Sequence, residues 1–165
     1  MRGNRKAVIY RHYIFTTIFI ALFSSYLMII GCYREPSPIT GETEYYGFPW
    51  EQEKKIGKEA DIQLAKQLGV YEDAELQAYI DEVGLRVLSG SDFRKPDVAE
   101  RYRSTEFTFR LLDSSVLNAF ALPGGYVYLT RGLVAHMENE AQLAVVIGHE
   151  IGHIAGRHSA QQALK

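Results

Sequence analysis

The sequence predicts an α+β fold, and three observations carry the prediction. Two stretches within residues 51–89 place apolar residues at helical spacing, residues 107–130 alternate as strands around a turn signal, and from Arg131 the helical period returns. A length of 165 residues suits one domain and is too short for two of ordinary size. With 47% hydrophobic and 23% charged residues, no low-complexity run and no internal repeat, the composition is that of a globular chain.

Residues 1–32 read as an export signal. Arg2, Arg5, Lys6 and Arg11 precede an uncharged apolar run from Tyr13 to Ile30, followed by Gly31 and Cys32. The run is close to the roughly 17 to 25 residues that span a bilayer, so a retained single-pass anchor is the alternative. Its end, IIGC, resembles the bacterial lipobox, which makes Cys32 the expected lipidation site and Tyr33 the second residue of the mature chain. Cys32 is the only cysteine and so cannot form an internal disulfide. In either reading the basic flank stays in the cytoplasm and the domain faces outward, to the periplasm. A tyrosine rather than an aspartate after Cys32 points onward to an outer membrane. Beyond residue 32 there are 14 basic and 20 acidic residues, a net charge of about −6, so nothing suggests nucleic acid as a partner.

Residues 33–50 hold three prolines and two glycines without apolar period and read as a tether, able to span on the order of 20 Å. Tyr45, Tyr46, Phe48 and Trp50 are expected to pack back on the domain edge. From Glu51 a helix is expected, with Ile56, Ala60, Leu64 and Leu68 as its apolar stripe and Gly69 as its stop. A second helix, N-capped by Asp73, runs to about Ser89 with Leu76, Tyr79, Ile80, Val83 and Val87 on one side. Residues 89–105 read as a loop by their Ser, Gly and Pro content. A strand follows, with Phe107, Phe109 and Leu111 on one face, and then a β-hairpin whose turn is Leu-Pro-Gly-Gly, Gly124 taking a positive φ. A short helix near 133–137 and a long one from about Asn139 complete the pattern, and the small sheet is expected to lie over the long helix.

That long helix carries His149, Glu150 and His153, the pattern H-E-x-x-H. Four residues on an α-helix amount to about 40° of rotation and about 6 Å of rise, so both imidazoles leave one face and can share a metal ion, with Glu150 in reach of a water on it. Leu143, Ile147, Ile151 and Ile154 fall on the opposite side, the expected core face. Gly148, Gly152 and Gly156 each cost about 1 kcal/mol relative to alanine in a helix interior, which predicts a close approach along that row by backbone or substrate. On a continuous helix His158 lies about 140° from His153, nearer the core side, and is left to cap or pack.

The stretches LNAFALPGGYVYLTRGL and NEAQLAVVIGHEIGHIAGRH resemble the M48 family of gluzincin zinc metallopeptidases, over about residues 51–165. The resemblance implies a zincin-like domain in which His149 and His153 bind Zn2+, Glu150 is the general base, and a glutamate on a later helix is the third ligand. Residues 154–165 contain no Asp, Glu or Cys, so the chain is expected to be the N-terminal part of that domain and to bind zinc weakly by itself. The implied function is a membrane-anchored metalloendopeptidase that hydrolyses peptide bonds of misfolded envelope proteins. In related zincins substrate lies along an edge strand, which makes Asn118, Ala119 and Phe120 substrate-binding candidates; the alternative is that they only shape the hairpin. Two other readings remain open: a non-catalytic envelope lipoprotein that binds partner proteins, and an inactive remnant.

Overall fold

The structure, a computed structural model, describes residues 32–165. The export signal expected at 1–32 therefore lies outside the described residues except for Cys32, which is exposed.

The expected tether is instead structured. Tyr33–Pro36 (β1) and Thr43–Tyr46 (β2) pair antiparallel. Tyr46 and Trp50 are fully buried, whereas Tyr45 is exposed. The indole of Trp50 donates to the Arg101 carbonyl at 3.1 Å and packs edge-on to Tyr102. Absence of apolar period misled the sequence reading here, because the hairpin is held by aromatics and by Glu35, and not by a greasy stripe.

Two helices follow, Trp50–Leu68 (α1) and Ala74–Ser89 (α2). Asp73 caps α2 as expected, its carboxylate accepting from the Leu76 N–H at 2.9 Å. The buried face of α1 differs from the expected one. It consists of Trp50, Glu53, Gly57 and Asp61, while Leu68 is 44% exposed. In α2 the buried set is Ile80, Val83, Gly84 and Leu88, so the stripe is rotated slightly and Tyr79 remains on the surface. The expected loop contains a 3-10 turn, Asp92–Arg94, and a short helix, Glu100–Arg103 (α3), with Phe93 and Tyr102 fully buried.

Thr108–Leu112 (β3), Ala119–Leu122 (β4) and Tyr126–Thr130 (β5) form a sheet of order β3-β5-β4. The expected hairpin is β4–β5, antiparallel, with Gly124 at φ 83, while β3 pairs parallel with β5. Alternation along the strands divides the sheet into two faces. Phe109, Leu111, Val127 and Leu129 join the core that α2 and the later helix cover. Arg110, Tyr128 and Phe120, aligned across the three strands, lie on the side where Asp61 of α1 meets them.

Arg131–Val134 (α4) starts at Thr130, whose hydroxyl accepts from the Leu133 N–H. Glu140–Ala155 (α5) is capped by Asn139 and buries Leu143, Ile147, Ile151 and Ile154 against α2 and the sheet. The helix does not run on to residue 165 as expected. It ends at Ala155, Arg157 adopts the left-handed conformation (φ 52, ψ 38), and His158–Gln162 (α6) begins in a new direction.

Candidate metal centre

Helix α5 sets its two histidines one turn apart on the face away from the core. Both are exposed, and their Nε2 atoms stand 3.1 Å apart, with ring centroids at 4.6 Å. Glu150, the next residue after His149, is 7% exposed and sits at the border between that face and the core. His153 lies in the last turn of α5, where unpaired carbonyls give the helix end partial negative charge and favour a cation.

The left-handed turn at Arg157 brings a third imidazole to this face. His158 Nδ1 lies 2.6 Å from His153 Nδ1. His158 is thus an exposed neighbour of His153, and not a residue facing the core; the 140° separation held only for an unbroken helix. The turn is held by a buried cluster. Arg157 donates Nε–H to Glu53 Oε1 at 2.7 Å, Nη1 to Glu35 Oε2 at 2.6 Å and Nη2 to the Phe48 carbonyl at 2.9 Å. Its guanidinium carbon stands 3.6 Å from the Tyr46 ring centroid. Burial pushes the Glu53 carboxyl up to about 7, against the opposing pull of Arg157. Burial also acts to raise Asp61, but hydrogen bonds from Arg110 and Tyr128 outweigh it and hold Asp61 below its usual value.

The remaining predicted positions are brought to the sheet edge beside α5. Thr130 donates its N–H to the Asn118 carbonyl, and the Asn118 N–H goes to the Thr130 hydroxyl, each at 3.1 Å. Because antiparallel pairing alternates, Asn118, Phe120 and Leu122 direct their backbone groups to β5, and Ala119 and Ala121 direct theirs outward. Phe120 stacks on Tyr128 at 4.8 Å. The opposite edge of the sheet is closed. Gln77 of α2 donates to the Phe109 carbonyl and accepts from the Leu111 N–H, each at 3.0 Å, and the Tyr71 N–H caps the Leu111 carbonyl. The β4 edge is therefore the open one of this sheet among the described residues.

Of the glycine row only Gly156 is closely approached, by the His158 ring, and no backbone comes near any of the three. A Cβ at Gly148 would meet only Val87 at 3.6 Å, and one at Gly152 nothing within 4 Å. Glu140 is occupied by Arg86 at 2.7 Å and Tyr79 at 3.0 Å.

Residues 74–165 match the model description of peptidase family M48, more than half of the chain. The chain belongs to peptidase family M48. It is 36% identical over 110 residues to the beta-barrel assembly-enhancing protease of Escherichia coli K12, covering 67% of this chain and 21% of that one. It is 26% identical over 162 residues to the human mitochondrial metalloendopeptidase OMA1, covering 88% and 28%. With the mitochondrial metalloendopeptidase OMA1 of Schizosaccharomyces pombe it shares 25% identity over 172 residues, covering 97% and 48%. This M48 chain spans about a fifth of the length of its bacterial relative.

Zinc is the metal the family implies, and the donor pair fits it. Two imidazole nitrogens each about 2.0–2.1 Å from one zinc ion in a tetrahedral site lie roughly 3.3 Å apart, close to the 3.1 Å between His149 and His153. Among the described residues no group of three or more His, Cys, Asp or Glu is placed to hold a metal ion. Sequence reasoning missed Glu35, Glu53 and Arg157, whose signal was slight: one arginine beside a glycine at a helix end.

Proposed function

We propose that this M48 chain supplies the zinc-binding helix and substrate edge of a metalloendopeptidase that hydrolyses peptide bonds of misfolded proteins in the bacterial envelope. The observation that carries it is the convergence of His149 and His153 Nε2 at 3.1 Å on an exposed face beside an open strand edge. His149 and His153 would hold the zinc, with a further ligand from outside the described residues. When bound, zinc polarises the scissile carbonyl and lowers the pKa of its water towards about 7. Glu150 takes the proton from the attacking water and returns it to the leaving amine. Ala119 and Ala121 present the outward N–H and C=O groups along which an extended peptide adds as a fourth strand, and Asn118 and Phe120 hold that edge in register on β5. Similarity to the beta-barrel assembly-enhancing protease of Escherichia coli supports an envelope setting and substrates connected with β-barrel assembly.

Glu150→Gln in a longer chain that binds zinc should retain the metal and lose casein cleavage, whereas His149→Ala or His153→Ala should lose the metal. Retained cleavage by Glu150→Gln would sink the general-base role, and partner binding that survives without any cleavage would favour the non-catalytic reading. We further propose that Cys32 is lipidated. Mass spectrometry of the membrane-extracted N-terminus should find a diacylated or triacylated Cys32 followed by Tyr33, and an intact Met1 peptide refutes it.

A further inference from the structure

The Arg157 turn places His158 against the nitrogen of His153 that faces away from His149. His153 offers Nε2 to His149 at 3.1 Å and Nδ1 to His158 at 2.6 Å. Neutral imidazole has one donor and one acceptor nitrogen, so a contact between two Nδ1 atoms needs a proton on one of them only. A ligand uses a bare nitrogen. With Nε2 of His153 bare, its proton sits on Nδ1, and His158 Nδ1 must be the acceptor, its own proton resting on Nε2. His158 cannot share the metal point, because it touches the other side of the His153 ring.

We propose that His158 is a positioning residue, accepting the Nδ1–H of His153 and thereby fixing both the tautomer and the ring orientation that turn His153 Nε2 towards His149. Metal-bound histidines generally give their second N–H to an acceptor, most often a carboxylate, a backbone carbonyl or water, and loss of that partner typically costs about 10–100-fold in metal affinity. Two further features accommodate this placement. Gly156 leaves room for the ring, since a Cβ there would stand 2.5 Å from His158 Nε2. Arg157 takes a left-handed conformation unfavourable to a residue with a Cβ, held by Glu53, Glu35 and the Phe48 carbonyl. The inference rests on the reading of His149 and His153 as ligands.

The test uses the whole 165-residue chain in detergent, labelled with 15N-histidine. Without metal, long-range 1H–15N spectra should show His153 protonated at Nδ1. His158→Ala should lose that signature, and His158→Asn, whose Oδ1 can accept the same proton, should restore it. Zinc affinity, by competition with a chelating dye, should fall about 10–100-fold in His158→Ala and return to within about threefold of wild type in His158→Asn. His153 protonated at Nε2 in the wild type overturns the proposal, as does unchanged zinc affinity in His158→Ala when His149→Ala abolishes binding. If His149→Ala also leaves zinc binding unchanged, the ligand reading fails and the positioning role falls with it, while the metal-free spectra still report whether the His153–His158 contact exists.

Discussion

Two glycine-to-alanine substitutions in helices should act in opposite directions. At Gly57 of α1 a Cβ would stand 1.8 Å from the Pro123 carbonyl oxygen and 2.9 Å from its carbon. Ordinary contact begins near 3.4 Å, so α1 and the β4–β5 turn must separate by about 1.6 Å, and the obstacle is backbone that no rotamer change can clear. Overpacking of this kind costs typically 1–3 kcal/mol; taking about 3 and subtracting the roughly 1 kcal/mol that alanine gains over glycine in a helix leaves about 2 kcal/mol of destabilisation. At Gly152 of α5 nothing lies within 4 Å, so the helix gain of about 1 kcal/mol stands alone. For a chain of this size that is a melting temperature lowered by roughly 8 °C in Gly57→Ala and raised by about 4 °C in Gly152→Ala. Calorimetry or far-UV circular dichroism on the two variants measures the difference. Gly57→Ala melting with the wild type would falsify the close packing of α1 on the hairpin turn. A destabilised Gly152→Ala would mean that something does approach Gly152.

Removal of Arg157 leaves Glu53 buried without its cation and the half-buried Glu35 with Arg101 alone, so Arg157→Leu should cost about 3–5 kcal/mol in urea unfolding, and Arg157→Lys should recover only part because it lacks the fork. Asp61 has a folded pKa below its unfolded one, so its contribution is present above about pH 4 and is lost as pH falls through the folded value; the stability gap between wild type and Asp61→Asn should therefore close on acidification. Glu53 has the opposite sign. Its pKa is raised from 4.5 to about 7, so its contribution is present below 4.5 and is lost as pH rises through 7, and Glu53→Gln should gain on the wild type across that interval.

Much of the fold was legible because it follows local rules. Asp73 and Asn139 cap the helices their positions announced, and Leu-Pro-Gly-Gly makes the turn its φ requirements dictate. The core face of α5 was legible as well, since Leu143, Ile147, Ile151 and Ile154 are apolar and at helical spacing. What failed was the inside of α1. Glu53 and Asp61 are buried where a hydrophobic period would reject them, because Arg157 and Arg110 satisfy them from 104 and 49 residues away. In the site, the spacing of His149 and His153 was enough to place two imidazoles on one face. The place of His158 was not, since a helix of constant rise has no means of anticipating the one left-handed residue that turns it.

The tether and the helix break are one error with one cause. Residues 33–50 lack apolar period, and Arg157 after Gly156 reads as an ordinary solvated cation at a helix end. Neither segment announces structure alone. Together they do, since Glu35 of β1 accepts from Arg157 at 2.6 Å and from Arg101 at 3.1 Å, and also from the Trp50 N–H at 3.0 Å that opens α1. Three segments, the hairpin, the start of α1 and the turn beyond α5, thus meet on two carboxylates and one guanidinium. Each charge is tolerable inside only because the others are there. A domain boundary drawn at residue 51 therefore runs through this cluster. A chain begun at residue 51 keeps Glu53 and the Tyr102 hydroxyl but loses Glu35, the Phe48 carbonyl and the Tyr46 ring, which leaves the left-handed Arg157 with two of its five partners and weakens the turn that makes the His153–His158 contact.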